Sequence, residues 1–196
     1  MDDTSGQDYT ERLQANSGAT WKRWLNVQAP YRWNLRRQDL GRTLDVGCGI
    51  GRNLAQLPAG SLGVDHNETS VAAARAAGLD AVTNTEWGLS GMAESAAFDS
   101  LLFAHVIEHM TYDDAVLLVL SYLGALQSGG KVFFICPQER GYASDPTHLS
   151  WTTGGDLEQL SRDVGLRPSP SRSFPGPRVV GRIFTYNEFN VMARKP

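Results

Sequence analysis

Cysteine is scarce: Cys48 and Cys136 are the two in 196 residues, too few for a disulfide framework or a four-thiolate zinc knuckle. The chain opens Met1-Asp2-Asp3-Thr4-Ser5, acidic and polar, unlike a secretory leader, so a cytoplasmic protein with reduced thiols is expected. Long apolar runs are lacking as well. The longest aliphatic stretch, Ala115 to Leu120, falls far short of the roughly 20 residues that span a bilayer, so no integral membrane segment is expected. There is no internal repeat, and the one biased tract is the Pro/Ser/Arg-rich stretch 168–178. A net charge of −3 argues against binding nucleic acid through bulk electrostatics.

What is present is the composition of one globular domain with at most a short appendage: 41% hydrophobic and 20% charged residues. Charge is uneven. Between Thr20 and Gln38 stand five basic residues, no acid, three tryptophans (Trp21, Trp24, Trp33) and Tyr31. This stretch reads either as a substrate-side aromatic and basic lid or as an amphipathic segment that packs its rings and solvates its charges. Residues 1–40 are therefore set apart as an N-terminal helical and aromatic extension, and 41–196 as the main domain.

From residue 43 onward, short apolar runs alternate with helix-length segments. Strands are expected at 43–46, 62–64, 81–82, 98–104 and 131–136. Helices are expected from Arg52, at 69–77, 112–126 and 155–164, with an alternating strand or hairpin over 182–193. Such alternation implies an α/β domain with a mostly parallel sheet, whose ligands bind at the carboxyl ends of the strands. The strongest motif lies at the first strand end: Leu44-Asp45-Val46-Gly47-Cys48-Gly49-Ile50-Gly51. Its glycines permit a tight turn and close ligand approach. The spacing is Gly-x-Gly-x-Gly, and Arg52 stands where a dinucleotide fingerprint has its third glycine, which disfavours an NAD-binding oxidoreductase. Asp65 ends the second strand, where a carboxylate accepts from both ribose hydroxyls or else caps the next helix.

These residues, with Phe98-Asp99-Ser100-Leu101-Leu102, His105-Val106-Ile107-Glu108-His109 and Leu126-Gln127-Ser128-Gly129-Gly130-Lys131, resemble the ordered motifs of class I S-adenosylmethionine-dependent methyltransferases. The likeness spans roughly residues 40–165 and is nearest the small-molecule branch that includes ubiquinone/menaquinone-biosynthesis-type enzymes. It implies a Rossmann-like, doubly wound, mostly parallel seven-stranded sheet with an antiparallel C-terminal strand or hairpin and helices on both faces. It also implies S-adenosylmethionine as cofactor, S-adenosylhomocysteine as product, and a small-molecule methyl acceptor. The cofactor residues it points to are Asp45, Gly47, Cys48, Gly49, Gly51, Asp65, His66 and His105. Glu86 and Trp87 are expected at the adenine, although the family's Leu-Pro-Phe is missing beside them. The Asn-Pro-Pro-Tyr signature of amino-group enzymes is absent after the fourth strand, which favours an oxygen or carbon acceptor. A catalytically silent cofactor-binding protein is the alternative, and the chain is expected to be a monomer or homodimer.

His105-x-x-Glu108-His109 also matches an inverted zinc-protease pattern, but that pattern needs a helix already running at His105. Leu101-Leu102-Phe103-Ala104 reads as strand instead, so no metal is expected. His109 is a possible proton acceptor. The long loop 137–151 carries Asp145-Pro146-Thr147-His148. There His148, oriented by Asp145, is either a general base or a tie that holds the loop down.

Overall fold

The computed structural model describes residues 29–196. Trp21, Lys22, Arg23 and Trp24 of the stretch expected as a lid lie outside the described residues. Among the described residues no helix is long and apolar enough to cross a membrane.

Eight strands form one sheet: β1 (Thr43–Val46), β2 (Leu62–Asp65), β3 (Ala81–Thr83), β4 (Phe98–Ala104), β5 (Leu126–Pro137), β6 (Arg167–Pro168), β7 (Arg172–Phe174) and β8 (Glu188–Arg194). The order is β3-β2-β1-β4-β5-β8-β6, with β7 also paired to β8. β1 to β5 run parallel, and β8 joins β5 antiparallel. This is the expected Rossmann-like sheet with an antiparallel C-terminal edge. The winding reverses between β1 and β4, so their carboxyl ends, at Val46 and Ala104, flank the crevice where such sheets bind ligands.

β4 and β5 are covered on both faces, as their near-continuous apolar sequence requires. Leu101, Phe103, Val132 and Phe134 pack against α4 (Tyr112–Tyr122) and α6 (Gly154–Asp163), while Leu102, Ala104, Phe133 and Ile135 pack with Leu35 of α1 (Ala29–Arg36). Phe103 and Phe134 stack with centroids 5.3 Å apart. The expected Gly129-Gly130 turn is a bulge within β5. Phe98 pairs with Leu126 but Ser100 with Lys131, and Gly129 takes a φ of +73° to absorb the extra residues.

Helix starts follow local capping chemistry. Asn67 accepts from the Thr69 and Ser70 amides at the start of α2 (Glu68–Ala76), and Thr111 and Thr153 cap α4 and α6. Two expectations fail. The helix from Arg52 shrinks to a 3-10 turn, Leu54–Gln56, because Leu57 is held extended ahead of Pro58. The span 84–89, given no element from the sequence, is a helix, α3 (Asn84–Leu89), started by a Thr83–Glu86 capping box. A short α5 (Glu139–Tyr142) interrupts the long loop after β5.

Phe134 is fully buried at the centre of this packing. Phe134→Ala is expected to cost about 3–5 kcal/mol in denaturant unfolding, the usual range for an emptied aromatic core site.

Candidate functional site

At the β1 end the chain turns through the glycine loop. The Gly47 and Cys48 amides both donate to the Val64 carbonyl, at 2.8 and 3.1 Å, lashing the loop to β2. Gly47 has a φ of +74°, and a Cβ there would stand 2.5 Å from Val106 Cγ2, so both backbone shape and space require glycine. Gly49 donates its amide to Asp65 Oδ2 at 2.7 Å, and the Asn67 amide donates to Asp65 Oδ1 at 2.8 Å. Asp65 is therefore not the cap of α2, which is Asn67. Oδ1 also has His66 Nδ1 at 3.4 Å, while Oδ2, with the Gly49 amide, keeps a lone pair for a further donor. The loop and Asp65 line a cleft with His66, Asn84, His105 and the apolar side chains of Val106, Met110 and Leu118. A paired-acceptor carboxylate beside an apolar wall and a bare glycine backbone fits an adenosine-bearing cofactor, with Asp65 on the ribose.

The other expected cofactor residues stand elsewhere. Asp45 is fully buried and does not line the cleft. Burial, reinforced by nearby Asp65 and only partly offset by the Leu54 amide, pushes its carboxyl up to about 8, and Oδ2 has no hydrogen-bond partner. Cys48 packs with Leu54, Val71, Ala74 and Ala81, and burial pushes its thiol up. Gly51 supports the loop from behind: its φ is +82°, and a Cβ would meet Leu79 Cδ1 at 2.3 Å. Glu86 and Trp87 do not line the cleft. Glu86 serves the capping box and pairs with Arg75 at 2.6 Å, while Trp87 is buried against Tyr122 and Phe98. A Thr-x-x-Glu signature was available in the sequence for this helix, and its apolar face turns Trp87 inward. From the same segment it is Asn84 that reaches the cleft.

At the β4 end His105 takes a φ of +60°, a conformation that costs a non-glycine residue on the order of 1 kcal/mol. It places the imidazole between two carboxylates: Nδ1 is 3.1 Å from Glu108 Oε1 and Nε2 is 3.0 Å from Glu188 Oε1. Burial opposes charge on this ring, but the two carboxylates outweigh it and hold the imidazolium up to about 10. Glu108 is itself driven up by burial and brought below the usual range by His105, whereas burial leaves Glu188 raised. Glu188 arrives from β8, and nothing local in the sequence pairs it with His105.

His105 and His109 also line a second, adjacent cleft with His148, Asp145, Glu188, Tyr31, Arg32 and Arg52. His109 Nδ1 is 3.1 Å from the Thr147 carbonyl, and His148 Nδ1 is 2.7 Å from the Tyr142 carbonyl. A carbonyl only accepts, so each Nδ1 carries the proton and each Nε2 is left with a lone pair. Burial lowers the pKa of His109, keeping it neutral. Asp145 does not orient His148. Its Oδ1 accepts from the Thr147 amide and hydroxyl, at 2.9 and 2.7 Å, and the Tyr142 carbonyl does the orienting instead. The loop is pinned to the β4 end by the Leu149 and Ser150 amides, which donate to the Glu108 carbonyl at 2.8 and 3.1 Å. Of the expected lid residues, Arg32 lines this cleft, Arg36 bonds Gln56, and Arg37 lies over the Trp33 ring at 4.4 Å.

Two outcomes are expected. Asp65→Ala weakens S-adenosylhomocysteine binding about ten-fold or more in calorimetry, since a lost hydrogen-bonded carboxylate costs on the order of 1.5–3 kcal/mol. A buried carboxyl whose folded pKa exceeds its unfolded value makes the folded state lose stability as pH rises between those two values. The Asp45 contribution therefore falls from near pH 4 toward about 8. Asp45→Asn removes that slope, gaining on the wild type by about 3 kcal/mol between about pH 5 and pH 7.5 in paired urea melts.

Residues 44–134 match the family model described as a methyltransferase domain. No curated protein matches the chain. Among solved structures, a SAM-dependent methyltransferase from Archaeoglobus fulgidus is 19% identical with a TM-score of 0.66, covering 84% of this chain and 93% of its own. Magnesium protoporphyrin IX methyltransferase from Synechocystis, solved with S-adenosylhomocysteine, is 14% identical with a TM-score of 0.67, over 98% of this chain and 97% of that one. A putative methyltransferase from Haloferax volcanii, in complex with a methyltransferase activator, is 14% identical with a TM-score of 0.68, over 98% and 96%. At these identities the structures share the fold, and the matched segment contains the glycine loop, Asp65 and the His105–His109 turn. Residues 44–134 thus carry the pattern of a methyltransferase domain, on the fold shared with SAM-dependent methyltransferases of known structure.

Proposed function

We propose that the protein transfers a methyl group from S-adenosylmethionine to an oxygen, or less favourably a carbon, of a small-molecule acceptor. The observation that carries this reading is the shared wall of the two clefts. His105 and His109 belong both to the Asp65 cleft and to the cleft holding His148, so a donor in one faces an acceptor in the other. When bound, the cofactor supplies an electrophilic methyl on a sulfonium, already a good leaving group. The protein's share is therefore alignment and exclusion of water. Asp65 and the glycine loop would hold the cofactor so that an acceptor oxygen in the second cleft could displace the sulfonium in line, the electron pair of the broken carbon–sulfur bond returning to sulfur and the acceptor giving up a proton.

His109 and His148 are the residues at which that proton is lost. Their Nε2 lone pairs are set by the carbonyls on Nδ1, and His148 stands 4.9 Å from His109, ring to ring. Asp145 contributes by shaping the loop through Thr147. The clamped His105 does not serve as a base, because both its nitrogens are engaged by carboxylates. Its charge is a fixed positive point beside the donor. The described part of the N-terminal extension acts as the acceptor-side wall, a reading supported by Tyr31, Arg32, Asn34 and Leu35 on the second cleft.

The test is a screen of phenols, carboxylic acids, alcohols and amines with labelled S-adenosylmethionine. Label transfer to oxygen acceptors supports the reading, and exclusive transfer to amines overturns it. His148→Ala is expected to lower kcat about 100-fold, the scale of a lost acid–base group, while S-adenosylhomocysteine binding stays unchanged.

A further inference from the structure

We propose that Glu108, His109 and His148 form a binding site for a divalent transition-metal ion at the inner end of the acceptor cleft. One potential ligand atom from each lies within 4.8 Å of the others. Two imidazoles and one carboxylate are a donor set suited to zinc, manganese, iron or cobalt, whereas calcium and magnesium favour oxygen alone. This is not the pair that the His105-x-x-Glu108-His109 pattern suggests. His105 is turned away, both nitrogens held by Glu108 and Glu188, and the third ligand comes from the distant loop.

The surroundings are those of ligating side chains. A histidine that binds a metal almost always donates its other ring N–H to a carbonyl or carboxylate, which fixes the tautomer and aims the free nitrogen. Both histidines here do so, His109 to Thr147 at 3.1 Å and His148 to Tyr142 at 2.7 Å. Ligating carboxylates are also hydrogen-bonded, and Glu108 Oε1 has His105 Nδ1 at 3.1 Å. Glu108 is completely buried, yet its backbone carbonyl anchors the very loop that carries His148, through the Leu149 and Ser150 amides. Loop docking and assembly of the three ligands are thus one event. The three side chains close on an ion to ligand distances of about 2.0–2.2 Å by rotation, and three protein ligands leave a position open.

The proposal deepens the methyl-transfer reading and rests on it for its purpose. An ion at this place lowers the pKa of an acceptor hydroxyl that reaches it. With the ion bound the hydroxyl proton passes to solvent and His109 and His148 serve as ligands; without it they take the proton themselves. Either way the acceptor meets the methyl carbon as an oxygen anion.

The test uses the full chain, stripped with chelator, dialysed, and titrated with Zn²⁺ by calorimetry and with Co²⁺ by visible absorption, with neither acceptor nor cofactor present. One ion per chain is expected, with Co²⁺ d–d bands. His109→Ala and His148→Ala should each weaken binding by at least about ten-fold, the scale on which loss of even an outer partner acts. His66→Ala, outside the trio, should bind like wild type. Glu108→Gln disturbs a buried network, so His148→Ala in the loop is the deciding variant, with its fold verified by circular dichroism. Absence of stoichiometric binding, or affinity retained in the His109→Ala/His148→Ala double variant, overturns the site. The two readings fail separately: a chain that binds the ion but methylates no oxygen keeps the site and loses the function. One that methylates oxygen fully after stripping, with no ion bound, keeps the function and loses the site.

Discussion

β4 bears the rest of the architecture. It is hydrogen-bonded to β1 on one side and β5 on the other, and its apolar side chains are buried on both faces of the sheet. Such a strand can neither slip register nor shift its end without exposing one of two cores, because a one-residue slip exchanges Leu101 and Phe103 for Leu102 and Ala104. The position of Ala104, and hence of His105 one residue later, is therefore set by packing throughout the sheet. The winding reverses at the β1–β4 boundary, so the glycine loop and the His105 turn meet there.

From that fixed point the two clefts are built by different means. The Asp65 cleft is made locally, from a glycine loop tied to β2 and an aspartate held by two backbone amides. The His148 cleft is made by assembly. Glu188 comes across from β8, His148 from a loop anchored on Glu108, and Tyr31 and Arg32 from α1. His105 joins the halves in a left-handed backbone conformation, its strain offset by two charge-assisted hydrogen bonds.

Several residues expected at the cofactor form the support behind the cleft. Asp45, Cys48 and Gly51 belong to the loop motif yet face inward, where they meet β2 and the packing of Leu54, Ala74 and Leu79. Residues of a tight loop alternate between ligand and core, and spacing alone does not say which way each one faces. Trp87 illustrates the same limit. An indole in a polar stretch reads as a surface ring until the Thr83–Glu86 box starts a helix and rotates it against Phe98 and Tyr122.

The sequence by itself determined the class of sheet, the strands 43–46 and 98–104, the glycine turn and the carboxylate that ends β2, because each is written in near neighbours: apolar periodicity, glycine spacing and a strand-end acid. It also supplied every histidine of the site without saying which would be clamped and which open. Only the tertiary structure decided that. Glu188 lies 83 residues from His105 and His148 lies 39 from His109 in the chain, and contacts at such range follow from strand order and loop docking, which no local pattern encodes. The shortened turn after Gly51, the buried Asp45 and the pairing of the His109 and His148 rings are likewise consequences of what packs above and below them.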